Sequence, residues 1–288
     1  MNYAALIQNR KSTREFLDKP VPAADLEQII RYFENDIRRL VPDIGAQLRI
    51  FGTEAREALE GAAGYHKFLV GAPRYLVLLS QKHDLAYLNA GFAMQDLLLK
   101  ISDMGLDSCW LTFTDSNDVK TALGIRSELE VVAIAAFGYG KKVVKRLRLN
   151  IRSMSDVDIQ AKYRYMEPKR SVQDLAFVDT WGNNRNLDQY IGFFEEMLWE
   201  ALYAASLSPS YLNRQAYGFL LKDGSISLVE RPDRYNTKID GDLSLGIALL
   251  HFTAVVEDWA GKLQWDLSPD PAAVNLPDGH KLIATAAL

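Results

Sequence analysis

Arg10, Lys11 and Arg14 place three cations and the Ser12 hydroxyl within five residues, next to a predicted helix start. That set can hold a phosphate through charge-assisted hydrogen bonds. A guanidinium also offers planar donors to a ring carbonyl. On spacing alone the same run reads more readily as a solvated cluster of charges. A second polar constellation is SPSYLNRQ, in which Ser208, Ser210, Asn213 and Gln215 follow a predicted helix and Pro209 stiffens the loop. Such compact groups can hydrogen-bond the edge of a heterocycle. A polar turn with helix-capping serines is the plainer alternative. Cys109, flanked by Trp110, is the single cysteine, so it excludes an internal disulfide and reads as a buried, inert thiol. His66, His83, His251 and His280 lack metal-ligand spacing, so no metal site is expected. His251 lies on an apolar helix and reads as a satisfied core residue. Trp181, Trp199, Tyr203 and Tyr211 could stack on a ring or simply pack.

The elements that must position these residues follow from periodicity. Residues 1–40 look helical, with Pro22 and Asp25 at a helix start and Leu26, Ile29, Ile30, Phe33 and Ile37 on one face. Leu48, Ile50 and Phe51 suggest a short strand, and a helix is expected over 55–62. The run YLVLLS (75–80) suits a strand buried on both faces. A helix apolar on most sides is expected over 85–104, closed by Gly105. Strands follow at 108–113 and 131–137, with a short helix near 118–123 between them. Residues 138–168 read as a basic, then polar and aperiodic junction. Beyond it, a helix is expected over 187–206 and a hairpin of 216–221 and 226–230 around Asp223-Gly224. A long helix should cover 243–259, with one strand near 280–284. No segment approaches the ~20 apolar residues that span a bilayer.

Three segments recur in the same order. Arg10–Phe16 resembles Lys169–Leu175, VPDIGAQLRIF (41–51) resembles SPSYLNRQAYGF (208–219), and AGFAMQDLLL (90–99) resembles LGIALLHFTA (245–254). A duplication accounts for the order, with chance agreement as its competitor. The second half shows no clear partner for the strand over 131–140. The halves are expected at 1–150 and 165–288.

The basic-Ser-basic motif, the Ala-Pro strand, the helix into MGLDSCW, the strand ending FGYG and the SPSxxNxQ loop together resemble the nitroreductase family, over most of 1–145 and about 187–265. The order of motifs is similar to its single-chain branch. The resemblance implies an α+β fold of two related halves fused as an intramolecular pseudo-dimer, with mainly antiparallel sheets flanked by helices. It implies FMN as cofactor and NADH or NADPH as hydride donor. The acceptor would be a small molecule such as a nitroaromatic or quinone, reduced by ping-pong turnover. It assigns Arg10, Lys11, Ser12 and Arg14 to the FMN phosphate and pyrimidine edge. Ser208, Pro209, Ser210, Asn213 and Gln215 would close the ring side. It also places Thr112 near flavin N5 and Lys141, with Lys142 as substitute, at the phosphate. Several relatives carry an acidic residue and glycine where this chain has Thr112-Phe113. No side chain is assigned as acid or base. A symmetry-related site would pair Lys169-Arg170-Ser171 with the loop around Pro42. Asp43 there would repel a flavin and Gln173 replaces the cation at Arg14, so one FMN per chain is expected.

Composition agrees with a globular chain. Its 288 residues are 48% hydrophobic and 24% charged, with net charge -4. At ~150 residues per domain this is one large domain or two small ones. The net charge leaves no electrostatic footprint for nucleic acid. There is no signal-peptide pattern and no Gly-x-Gly-x-x-Gly after a strand. A cytoplasmic monomer without membrane contact is the expectation. The rival functions are a degenerate nitroreductase scaffold that binds flavin or another ligand without turnover, and a reduced-flavin enzyme of another kind, such as a dehalogenase.

Overall fold

Two four-stranded sheets, each flanked by helices, organise the chain around a central helix pair. The computed structural model describes residues 1–65, 68–141, 146–153, 156–162, 168–185, 187 and 195–288, with backbone alone for 146–153 and 156–162. His66, Lys142 and most of the first half of the helix expected over 187–206 lie outside the described residues.

The first sheet has the order β1-β2-β4-β3, from β1 (Ala46–Phe51), β2 (Arg74–Ser80), β3 (Asp107–Leu111) and β4 (Glu130–Gly138), all antiparallel. β2 and β4 are central and buried on both faces, which explains their unbroken apolar runs. Helices α1 (Tyr3–Asn9), α2 (Ala23–Asn35), α3 (Ala55–Leu59), α4 (Ala86–Asp103) and α5 (Ser116–Ala122) complete this part. The helical reading of 1–40 is corrected between α1 and α2, where residues 10–22 run without helix because the chain lies along the sheet there.

The junction is also corrected. β5 (Arg146–Ser153) and β6 (Asp156–Lys162) pair as an antiparallel hairpin. Arg146-Leu147-Arg148-Leu149-Asn150-Ile151-Arg152 carries the period-two alternation of a strand, hidden by its charge.

The second part follows: α6 (Val172–Leu175), β7 (Ala176–Val178), α7 (Glu195–Ser206), β8 (Tyr217–Lys222), β9 (Ser225–Glu230), α8 (Lys238–Ala260) and β10 (Lys281–Ala287). Asp223 (φ 50°) and Gly224 (φ 71°) make the expected hairpin turn between β8 and β9. The sheet order is β10-β9-β8-β7. The run β8-β9-β10 repeats β1-β2-β4, antiparallel at each step. Thus the strand over 131–140 does have a counterpart, β10, contrary to the sequence reading. Asp266, bridged to Thr285 of β10, stands where β3 stands beside β4. β7 is an addition, parallel to β8.

α4 and α8 cross at two glycines that the repeat aligns with each other. A Cβ on Gly91 would sit 2.3 Å from the Leu243 carbonyl oxygen, and one on Gly246 would sit 2.0 Å from that of Leu88. The contact is reciprocal, as across a two-fold axis. Each helix also ties down its own half's loop: Val41 N–H donates to Asn89 (2.9 Å) and Tyr211 N–H to Ser244 (3.3 Å). By length and composition α8 could cross a membrane, contrary to the sequence reading, but 89% of that window is buried inside the protein.

Candidate functional site

Arg10 ends α1. Its N–H caps the Leu6 carbonyl and its backbone turns extended (φ -67°, ψ 134°). The chain beyond it lies in a slot between β3 and the end of β4. Ser12 bridges Ser108, Thr13 N–H donates to Ser108 O (2.9 Å), Phe16 bridges Gly140, and Leu17 N–H donates to Tyr139 O (2.8 Å). Lys141 N–H donates to Glu15 O (2.9 Å), which brings Lys141 beside the basic motif. Gly140 permits the approach, since a Cβ there would lie 2.0 Å from Asp107 Oδ2.

Lys11, Arg14 and Lys141 are exposed, while Arg10 and Ser12 are partly buried. Arg10 Nη1, Thr13 Oγ1 and Ser108 Oγ are buried with no hydrogen-bond partner. Each such group left unpaired costs about 1–3 kcal/mol, so each needs a polar partner, a water or a ligand atom. Burial, and then the like charge of Arg14, bring the Arg10 guanidinium down to about 10, opposed by Cys109 and Asp107. Burial pushes the Cys109 thiol up, which keeps it inert although both guanidiniums act on it.

The loop 208–215 joins α7 to β8. Leu212, Asn213 and Gln215 all have positive φ (47°, 55° and 45°), a conformation uncommon outside glycine that surrounding bonds must hold. Gln215 is fully buried. Its Nε2 donates to Ser206 O (2.6 Å) and Tyr217 Oη (3.3 Å), and its Oε1 accepts from Arg170 N–H (2.8 Å). Asn213 Nδ2 donates to Pro168 O (2.8 Å), and Ser210 Oγ accepts from Gln215 N–H (3.0 Å). These three side chains shape the loop. Ser208 is different. It is buried next to Pro209, and its Oγ lies by the Tyr217 hydroxyl without a hydrogen bond of normal geometry.

The pairing of the second basic motif is corrected. Lys169 Nζ donates to Ser208 O (2.8 Å) and Arg170 N–H to Gln215, so the motif meets its own half's loop, and among the described residues it makes no hydrogen bond to the loop around Pro42. Ser171 is occupied by a capping box with Asp174. Burial and the charge of Arg10 bring Lys169 down to about 8.

Thr112 is partly buried, and its carbonyl accepts from Gly64 N–H (2.7 Å). The next residue, Tyr65, meets Tyr211 edge-on, with ring centroids 6.3 Å apart. Phe68 is 71% exposed and Leu212 45%. Tyr65 and Phe68 carry no spacing signal in the sequence and emerge only from the fold. Of the other aromatics, Trp181 packs on Phe177 (4.7 Å) and His280 (5.3 Å).

Behind β3 runs a buried polar chain. Trp110 Nε1 donates to Gln95 Oε1 (2.9 Å), and Gln95 Nε2 meets His251 Nε2 (2.9 Å). His251 Nδ1 faces the Ala204 carbonyl (3.0 Å), so Nδ1 carries the proton and Nε2 accepts. Burial first, then Arg10 and Lys169, bring His251 down to about 3, so it is neutral.

A family model described as "Putative TM nitroreductase" matches residues 2–175, more than half of the chain. The chain belongs to this nitroreductase family. A search of curated proteins returned no match. Among solved structures, the chain is similar to one from Thermotoga maritima described as a "putative nitroreductase". The two are 17% identical over 100% of this chain and 94% of that one, with a TM-score of 0.60. At that identity the likeness speaks for the nitroreductase fold, and it extends across both halves. An FMN-dependent nitroreductase from Clostridium difficile is 20% identical over 48% of this chain and 87% of that one, with a TM-score of 0.42. A "Putative NADH dehydrogenase/NAD(P)H nitroreductase" from Bacteroides thetaiotaomicron is 20% identical over 58% and 95%, with a TM-score of 0.40.

Proposed function

We propose that this nitroreductase-family chain is an FMN-dependent oxidoreductase that passes hydride equivalents from NADH or NADPH to a flat acceptor, a nitroaromatic or quinone. One observation carries the reading: Arg10 Nη1 is buried and unpaired, as are the hydroxyls of Thr13 and Ser108, whose residues meet along β3. A guanidinium with a buried, open donor fits a phosphate monoester. Arg10, Ser12 and Arg14, with Lys11 and Lys141 at the rim, would hold that phosphate. Ser208, at the other side, offers an unpaired hydroxyl to the ring, on a loop that Pro209, Ser210, Asn213 and Gln215 keep in shape. The flavin, when bound, supplies the two-electron chemistry, and the protein orients it.

Thr112 follows β3 and is fixed by Gly64, so its backbone can face the ring without a side-chain acid or base. Tyr65, Tyr211 and Phe68 form an aromatic rim that suits a flat acceptor. Hydride donor and acceptor share that rim, so the expected kinetics are ping-pong. The second basic motif is engaged by loop 208–215, which supports one flavin per chain.

The test is an absorbance spectrum of the protein after FMN is added and the excess removed, followed by NADH or NADPH without oxygen. Flavin retained near one per chain and bleached by the nicotinamide supports the reading. Retained flavin that does not bleach favours a binding scaffold without turnover. No retained flavin overturns the proposal.

A further inference from the structure

Gln95 of α4 and His251 of α8 are fully buried and meet across the pair of central helices. They form the middle of a bridge with one direction throughout. Trp110 Nε1–H donates to Gln95 Oε1 (2.9 Å), Gln95 Nε2 donates to His251 Nε2 (2.9 Å), and His251 Nδ1–H donates to Ala204 O (3.0 Å). Hydrogen bonds aligned in this way strengthen one another in a low-dielectric interior. One end of the bridge is on β3, which carries Ser108 and leads into Thr112. The other is on α7, four residues before Ser208. The same two walls meet at the surface. There Tyr65, next to the Gly64 that Thr112 O binds, lies edge-on to Tyr211 of loop 208–215. The repeat aligns Gln95 with Leu250, Asp96 with His251 and Trp110 with Trp265. Leu250 has no side-chain donor or acceptor. Among the described residues Asp96 bonds only first-half groups: Tyr3 (2.8 Å), Tyr32 (2.9 Å) and Arg38 N–H (3.1 Å). Trp265 donates to Thr253 of its own half (2.8 Å). The bridge is therefore not duplicated, and its ends lead into the one candidate site.

We infer that Gln95 and His251 are positioning residues of this site: they hold β3 and the end of α7, one wall from each half, at a set spacing. That a flavin lies between the walls rests on the oxidoreductase reading above, whereas the spacing rests on the three bonds. The bonds of Asn213 and Gln215 fix the shape of loop 208–215, but they run within the second half and leave its distance from β3 open. The bridge supplies that distance, acting through Trp110 on one side and Ala204 on the other. A site assembled from two elements keeps its geometry only when the groups behind them are locked.

A bridge broken at one bond loses nothing more when a second is broken, which gives a double-mutant cycle its meaning here. Dissociation constants of FMN are measured by fluorescence for the wild type, Trp110→Phe, His251→Asn and the double variant. Trp110→Phe deletes the first donor. His251→Asn keeps an amide for Ala204 O but falls short of Gln95. The expected result is FMN binding weakened roughly five- to ten-fold by each single change, and no further by both together. Stability lost with FMN affinity unchanged overturns the proposal, because the bridge is then structural only. Losses that multiply in the double variant also overturn it, because the two ends then act separately. Both outcomes leave the oxidoreductase reading standing. Should His251→Asn not fold, Gln95→Met, apolar and of similar length, breaks the same bridge. Should the wild type bind no FMN, the oxidoreductase reading falls, and hydrogen exchange of the flavin-free protein then tests the spacing alone. Faster exchange in His251→Asn at both 107–113 and 207–216, with β9 unchanged, supports the bridge. Faster exchange at one wall only, or throughout the chain, overturns it.

Discussion

Arg10 and Arg14 differ in burial, and that difference sets what each should do. Arg10 presents a buried, unpaired Nη1 to the site, while Arg14 is exposed and screened by water. Arg10→Ala should weaken FMN binding roughly 10- to 100-fold, and Arg14→Ala only about five-fold. Titration of both variants checks the order, and equal losses would sink the assignment of Arg10 as the inner ligand. His251 makes a second prediction. Its folded-state affinity for a proton is depressed, so the unfolded chain binds the proton more readily. Its contribution to stability is therefore intact above pH 6.5 and is lost as pH falls toward about 3. The slope approaches about 1.4 kcal/mol per pH unit in that window. Urea denaturation between pH 7 and 4 should show a shallower slope for His251→Leu than for the wild type. The variant should also be less stable at pH 7, because Gln95 Nε2 loses its acceptor. Parallel slopes would contradict the buried neutral tautomer.

The long elements could be read in advance because each had one dominant requirement. β2, β4 and the middles of α4 and α8 are mostly apolar because they are buried on nearly all sides. The β8–β9 hairpin announced itself through Asp223-Gly224. β10, expected near 280–284, was not matched to β4 because its side chains are mostly small, and the β5–β6 alternation was masked by arginines. Among site residues, the basic-Ser-basic run stood out by residue type and spacing, but only the family resemblance assigned it to a phosphate. The aromatic rim and the partners of Lys169 were not, since they meet only through the tertiary fold. Glycines in α8 give a test at this scale. Gly241 has room for a Cβ, its nearest neighbour being the flexible end of Glu230 at 3.4 Å. Gly241→Ala should raise stability by about 0.5–1 kcal/mol. Gly246→Ala should lower it by about 1–3 kcal/mol, because the added carbon meets helix backbone. Thermal melts that moved the same way for both variants would refute the close crossing.

On the scale of the whole molecule, the chain itself supplies both sides of the proposed site: the Arg10 motif from one half and the Ser208 loop from the other. A second copy is not needed to complete it. Light scattering in line with gel filtration should give one flavin per 32.4 kDa, with a monomer as the expected species. Two flavins per chain would mean that the second basic motif also binds one. The two halves are wired alike in β1-β2-β4 and β8-β9-β10, yet their loops have diverged. The fused arrangement explains how: a change on one side is no longer copied to the other, as it is in a symmetric dimer.

The crossing at Gly91 and Gly246 also has a consequence in time. The two glycines lie 155 positions apart in the sequence. At ~5–20 residues per second, a ribosome delivers the second roughly 8–30 s after the first. Throughout that interval the strip of α4 around Leu88, Gly91 and Phe92 waits without its partner. Nascent chains of this protein therefore carry an uncovered apolar helix for longer than most small domains take to fold, and the arrival of α8 is the event that closes it.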